Sequence, residues 1–191
     1  MRAPTTYGTV SRLNHWVIAV AMIGMVGVGL YLEFGGLSRE QSGSLRDIHK
    51  AVGVLLLALV AWRVGWRLVQ GFPPEASAMP RWQSIASKAV HWALLVAIVL
   101  MPVSGVVSSV YAGRPIDVFG LFTVPAAVEI EWLAGTASTT HTIVGRTLAV
   151  LIVVHVAGAL KHHFVDRDRT LERMVTGRDR VHAVAAGRST G

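Results

Sequence analysis

Four long apolar stretches constrain this chain more than any other feature of its sequence. They cover residues 16–32, 51–62 with a continuation to 69, 89–112, and 147–160, where the helix can extend over about 140–164. Each can reach the roughly 20 residues that a helix needs to cross a bilayer. The period-2 alternation of a membrane β-barrel is missing from all four stretches. The sequence therefore predicts an all-α fold, a four-helix transmembrane bundle.

The composition agrees with a membrane protein and limits its chemistry. Of the 191 residues, 52% are hydrophobic and only 15% are charged, which is too apolar for an ordinary soluble domain. The chain has no cysteine, which excludes disulfides, iron–sulfur ligation and c-type haem attachment. We expect residues 1–175 to form one membrane domain and residues 176–191 to be a polar, disordered tail.

The distribution of basic residues predicts the orientation of the bundle. Thirteen of the 18 Lys and Arg residues fall in the N-terminal segment, around the connection between the second and third stretches, and in the C-terminal tail. The positive-inside rule puts these segments, and both termini, in the cytoplasm. A net charge of +7 could by itself suggest a protein that binds nucleic acid. However, the basic residues are concentrated on the inner face, and contact with anionic lipid headgroups explains this better. We therefore expect membrane lipid as a partner and no nucleic acid.

Two histidines of the fourth stretch, His141 and His155, lie 14 residues apart. In a helix this spacing separates them by about 21 Å along the axis and leaves them about 40° short of four full turns. Both rings therefore leave the same side of the helix, one near each edge of a bilayer core that is about 30 Å thick.

The other helices offer a partner for each of these rings. His49 begins the second helix at the outer level of His141, and His15 begins the first helix at the inner level of His155. Two pairs of imidazoles across a bundle are what two six-coordinate haems, or another metal centre, would require. A single histidine at a helix end is more often an interfacial residue, but four that match in depth favour a metal or haem role.

Further polar and small residues could complete such sites. Arg63 and Arg146 could pair with carboxylates of a cofactor such as the propionates of haem, although the positive-inside rule also explains basic residues at the inner end. His162, at the inner end of the fourth helix, could contact a propionate or a quinone headgroup; a snorkelling basic cluster with Lys161 is the alternative. His91 shares the inner level and could replace a ligand or lie at the interface. Small residues that would let a flat macrocycle approach the helices are Gly24, Gly27, Gly29, Gly53, Gly145 and Gly158.

From about Arg12 to Met174 the chain resembles the bacterial cytochrome b561 family. The matching segments, in order, are RLNHW, LEF, IHKAVGVLLLALVAWRVGWRL, KAVHW, LMPVSGVV, FGLF followed by Pro125, HTIVGRTLAVLIVVHVAGALKHHF and DRTLERM. A single HW is a weak signal, whereas the ordered set is highly specific.

The resemblance implies two haem b groups in the bacterial inner membrane. His15 with His155 would ligate the inner iron, and His49 with His141 the outer iron. It also implies electron transfer between an outer-face donor and ubiquinone, and in one branch of the family that donor is superoxide. Because five basic and six acidic residues share the outer face, attraction of an anion would require Lys50, Arg114 and Arg146 to cluster.

Two other functions stay open. The chain could be a cytochrome b subunit that passes electrons between quinone and a partner dehydrogenase or hydrogenase. That partner would be a periplasmic redox protein docked on the subunit. It could also be a histidine-based metal or proton transporter.

Overall fold

The computed structural model describes residues 8–70 and 80–177, and within these ranges four long helices form a bundle. They are α1 (Thr9–Phe34), α2 (Arg39–Gln70), α3 (Arg81–Val110) and α4 (Glu131–Phe164). All four are long and apolar enough to cross a membrane. The fold class predicted from the sequence is therefore confirmed. The predicted disordered tail lies largely outside the described residues.

The apolar core lies midway between the two ends of the bundle. On α1, Ile18, Met22 and Val26 are buried at intervals of four residues, so they form one stripe along the helix. This stripe packs with Val60 of α2 and with Leu148 of α4, which is fully buried. The pair α3–α4 packs most extensively, whereas α1 meets α4 sparsely.

The second helix begins earlier than its apolar stretch suggests. Ser38 Oγ accepts a hydrogen bond from the Gln41 main-chain N–H at 3.2 Å, and the Gln41 side chain accepts one from the Ser38 N–H at 3.1 Å. This reciprocal arrangement is a capping box, and it extends α2 by more than a turn to Arg39. The connection from α1, which ends at Phe34, is therefore only a few residues long.

A β-hairpin, which was not predicted from the sequence, covers part of the outer end. Strands β1 (Ile116–Val118) and β2 (Phe122–Val124) pair antiparallel. Their turn places Phe119 and Gly120 at positive φ, and the Asp117 carboxylate accepts a hydrogen bond from the Gly120 N–H. Both Ile116 and Val118 are buried, and β1 packs against α2.

A short helix, α5 (Thr170–Val175), closes the inner end. Its last carbonyl groups accept hydrogen bonds from side chains of α1: Arg12 donates to the Val175 oxygen at 2.8 Å, and Trp16 donates to the Met174 oxygen at 3.1 Å. These bonds satisfy carbonyls that a helix end leaves free, so they hold α5 against the bundle. The terms outer and inner follow the orientation that the charges predict.

Candidate functional site

The outer level holds His49 of α2 and His141 of α4 next to each other, in an edge-to-face arrangement. Their ring centroids lie 6.1 Å apart with an interplanar angle of 84°. His141 Nδ1 donates to the Met101 main-chain oxygen at 2.9 Å, and the Ser104 hydroxyl lies 3.3 Å from the same nitrogen. Because Nδ1 is occupied in this way, Nε2 of His141 is the nitrogen left to bind a metal.

A cavity of about 650 Å³ surrounds this outer pair. Each of the four long helices contributes a glycine to its wall: Gly29, Gly53, Gly105 and Gly145. A side chain at two of these positions would crowd the imidazoles, since an added Cβ would lie 3.7 Å from His49 at Gly29 and 3.0 Å from His141 at Gly105. Three of the four glycines were predicted from the sequence; Gly105, which follows Ser104 in helix α3, was not. Among the other predicted glycines, an added Cβ at Gly24, Gly27 or Gly158 meets nothing within 4 Å in the described structure.

The inner level holds His15 of α1 and His155 of α4, whose ring centroids lie 6.3 Å apart at 72°. The ring of His91 on α3 also approaches His155, at a centroid distance of 5.3 Å. Arg63 of α2 donates to His15 Nδ1 at 3.2 Å and to the Asn14 side-chain oxygen at 3.3 Å. The structure thus brings three histidines and the predicted Arg63 to one level.

Positive charges line the outer cavity. Among the residues that the structure describes, its lining contains four cations against two carboxylates, a surplus of two positive charges: Arg46, Lys50, Arg114 and Arg146 against Glu33 and Asp47. Lys50 pairs with Asp47 at 2.7 Å. The Arg146 guanidinium pairs with Glu33, so this predicted propionate contact already has a carboxylate partner from α1. The clustering of Lys50, Arg114 and Arg146 that attraction of an anion requires is therefore found.

His162 lies at the inner end of α4, seven residues beyond His155. Seven residues are two turns less 20°, so both rings project from one face about 10.5 Å apart along the axis. His162 Nδ1 lies 2.6 Å from a carboxylate oxygen of Asp168 and 3.2 Å from one of Asp166. These two acids were not predicted as site residues, because they follow the end of the helix and only the turn back toward α5 brings them to His162.

A model of the family described as prokaryotic cytochrome b561 matches residues 6–177. The chain belongs to this family. Cytochrome b561 homolog 2 of Escherichia coli (strain K12) is 35% identical over 176 residues, covering 90% of this chain and 92% of that relative. The probable superoxide oxidase CybB of Yersinia pestis is 25% identical over 162 residues, covering 84% of this chain and 90% of the relative.

Membership in the cytochrome b561 family confirms the resemblance noted in the sequence. The protein is a multi-pass bacterial membrane protein that binds haem b and transfers electrons. The family match does not assign the individual ligands, so the roles of the four paired histidines, Arg63, Arg146 and His162 stay predictions.

The two imidazole pairs of this cytochrome b561 protein have dimensions that suit a six-coordinate haem. With metal–nitrogen bonds of about 2.0 Å on both sides, the centroids of two axial imidazoles lie about 6.3 Å apart. The distances of 6.1 and 6.3 Å agree with this value, whereas 5.3 Å between His91 and His155 is too short. In addition, Nδ1 of His49 is buried with no hydrogen-bond partner in the described structure. The residues present therefore fit the cofactor.

Proposed function

We propose that this cytochrome b561 protein carries two haem b groups and passes electrons from a donor at its outer face to ubiquinone. His49 and His141 would hold the outer haem, and His15 and His155 the inner one. The observation that supports this proposal most is the presence of two imidazole pairs with centroid distances of 6.1 and 6.3 Å, one near each end of the bundle. We further propose that the protein lies in the bacterial inner membrane with both termini in the cytoplasm.

When bound, haem supplies the one-electron chemistry, and the protein contributes ligands, orientation and a low-dielectric surrounding. The Met101 carbonyl fixes the ring of His141, and Gly105 leaves room for that ring beside α3. At the inner level, Arg63 offers a guanidinium that can neutralise a propionate. At the outer level, Arg146 already pairs with Glu33. It could neutralise a propionate only if its guanidinium bound both carboxylates.

Superoxide is the donor that the outer charges favour. A surplus of positive charge at the mouth of a cavity attracts small anions and raises their rate of encounter. The overall reaction would be two superoxide anions, one ubiquinone and two protons giving two dioxygen molecules and one ubiquinol. A relative at 25% identity carries the name probable superoxide oxidase, which is consistent with this donor.

A second candidate is a cytochrome subunit that receives or delivers electrons through a docked periplasmic protein. One specific feature favours it: the turn of the hairpin exposes apolar side chains, with Phe119 53%, Leu121 77% and Phe122 51% exposed. Apolar residues presented at the outer end would suit contact with a partner dehydrogenase or hydrogenase. A histidine-based transporter is the third candidate, and it would lack haem absorption bands.

The test uses the full-length protein purified in detergent. We expect the absorption spectrum of a b-type cytochrome and two haems per chain by pyridine haemochromogen assay. Added superoxide should reduce the haems, and ubiquinone should reoxidise them. Replacement of His49 or His155 by Leu, one at a time, should remove about one haem each. Retention of both haems in either variant would refute the pairing, and a superoxide-inert di-haem protein would point to the docked subunit.

A further inference from the structure

The two imidazole pairs differ in what faces the Nδ1 atom of one ring. At the outer level, Nδ1 of His141 donates to the Met101 main-chain oxygen at 2.9 Å. At the inner level, the Arg63 guanidinium lies 3.2 Å from Nδ1 of His15. A carbonyl oxygen is a hydrogen-bond acceptor, whereas a guanidinium is a cation that has only donors. The outer ring therefore meets a partial negative charge, and the inner ring meets a full positive charge.

A second contact holds Arg63 in this place. Its other terminal nitrogen donates to the Asn14 side-chain oxygen at 3.3 Å, so the guanidinium bridges two consecutive residues of α1. Both contacts are partly buried. A charge that is partly removed from water acts more strongly on its neighbours than an exposed charge does, because the effective dielectric constant is lower. The charge of Arg63 therefore acts on His15 from a fixed, partly shielded position.

The two contacts have opposite effects on an iron bound at Nε2 of each ring. An acceptor at Nδ1–H makes the imidazole a stronger electron donor, which stabilises ferric iron and lowers the reduction potential. A positive charge beside the imidazole stabilises the ferrous state, because reduction removes one positive charge from the iron. The Met101 carbonyl at the outer level and Arg63 at the inner level therefore shift the two potentials in opposite directions.

The four cations that line the outer cavity act more weakly on their haem site. Lys50 and Arg146 pair with carboxylates, so their charges are offset. Arg46 and Arg114 are exposed, so water and salt screen their charges. Arg63, in contrast, contacts a proposed ligand directly.

We propose that Arg63 is a positioning residue that acts through His15 and raises the reduction potential of the inner haem above that of the outer haem; this inference rests on the proposed function. The step that Arg63 favours moves one electron from ferrous iron at the outer level to ferric iron at the inner level. The outer iron is oxidised, the inner iron is reduced, and neither a proton nor a covalent bond changes. Electron flow toward the inner side is thereby made downhill.

The test measures the two reduction potentials separately. Under the proposed ligation, His49→Leu keeps only the inner haem, and His155→Leu keeps only the outer haem. Each background is combined with Arg63→Gln, which removes the charge, or with Arg63→Lys, which retains it. Redox titration of the purified proteins, followed at the α-band, gives one midpoint potential for each variant.

We expect the inner haem of His49→Leu to have a higher midpoint potential than the outer haem of His155→Leu. Arg63→Gln should lower the inner potential by about 59 mV or more, which is a tenfold change in the equilibrium constant of a one-electron couple. Arg63→Lys should restore most of this difference, and neither substitution should move the outer potential. Asn14→Ala, which removes only the anchor of the guanidinium, should lower the inner potential by a smaller amount.

Arg67→Gln is the matched control, because it removes the same charge from the same helix one turn closer to the inner end. Arg67 is buried and donates to the Ser11 hydroxyl at 3.2 Å. This variant should shift the inner potential less than Arg63→Gln does. Equal shifts would show that the total charge of the inner end sets the potential, and they would overturn the proposal.

Reconstitution with haem dimethyl ester separates this role from a contact with a propionate. The ester has no free carboxylates, so Arg63 cannot form an ion pair with it. The shift caused by Arg63→Gln should persist in the protein loaded with the ester. Its disappearance would overturn the proposal and assign Arg63 to a propionate, and an unchanged inner potential in Arg63→Gln would overturn the proposal as well. Two haems retained in His49→Leu would instead reject the ligand pairing and with it the proposed function.

Discussion

The ring centroids of His15 on α1 and His155 on α4 lie 6.3 Å apart, the separation expected of two imidazoles on opposite sides of one iron. His91 is the competing partner, but its centroid lies only 5.3 Å from that of His155. The two candidates can therefore be told apart by experiment.

Replacement of His15 by Leu should remove about one haem per chain, whereas replacement of His91 by Gln should leave both. The reason is that His15, and not His91, has the centroid distance from His155 that two ligands of one iron would need. Haem stoichiometry and the low-temperature α-band of the reduced protein measure this outcome. Two haems in His15→Leu together with one in His91→Gln would reverse the assignment.

Gly105→Ala should weaken the outer haem site. The added methyl group would lie 3.0 Å from Cε1 and 3.2 Å from Nδ1 of His141, so the ring must shift and its bond to the Met101 oxygen must lengthen. Loss of such an orienting contact costs roughly 10- to 100-fold in metal affinity. Titration of the apoprotein with haem measures this effect.

The control is Gly65→Ala, because a Cβ at Gly65 on α2 meets nothing within 4 Å in the described structure. This variant should bind both haems like wild type. Equal haem affinity in the two variants would show that the space beside His141 is not needed.

Neutralisation of the cations that line the outer cavity should slow the reaction with superoxide. Lys50→Gln and Arg114→Gln each remove one charge from the cavity lining. We expect a several-fold lower second-order rate for each, within the roughly 10- to 1000-fold range that electrostatic steering supplies in total. The difference from wild type should shrink as salt screens the charges. Stopped-flow reduction of the haems at several ionic strengths measures it.

Arg39→Gln is the matched control for these variants. Arg39 begins α2 at the same end of the bundle but does not line the cavity. Arg39→Gln should react with superoxide at a rate within about twofold of that of wild type, because a charge that does not line the cavity contributes little to attraction of the anion. A similar rate loss in all three variants would mean that only the total charge matters.

Arg12→Gln should loosen α5 from the inner end. The variant loses the hydrogen bond from the guanidinium to the Val175 oxygen, which contributes about 1 kcal/mol. That loss corresponds to roughly fivefold faster amide exchange in a helix whose protection depends on docking. Hydrogen–deuterium exchange of residues 170–176 measures it. The exposed Arg81 at the start of α3 provides the control variant, Arg81→Gln, which should exchange there like wild type.

Periodic features of the sequence predicted the spans and the histidine levels. Fourteen residues are close to four full turns of any regular helix, so the common face of His141 and His155 follows from helix geometry alone. The charges of the loops likewise predict an orientation without any knowledge of packing.

Features that depend on chain reversal were not predicted. Asp168 reaches His162 only because the chain turns back after α4 and enters α5. The hairpin strands have three residues each, too few to show an alternation of apolar and polar residues. The capping box of Ser38 and Gln41 was visible as SREQ in the sequence, and its omission placed the start of α2 too late.

One feature of the bundle bears on how the protein is assembled. Both imidazole pairs draw one ring from α4, which is the last of the four long helices in chain order. During synthesis the first three helices can enter the membrane and present His15 and His49, but neither facing pair can exist until α4 has joined them. Under the proposed ligation, a chain interrupted before Glu131 would hold neither cofactor in its final coordination. Cofactor loading would in this way report that α4 has been made and has joined the bundle.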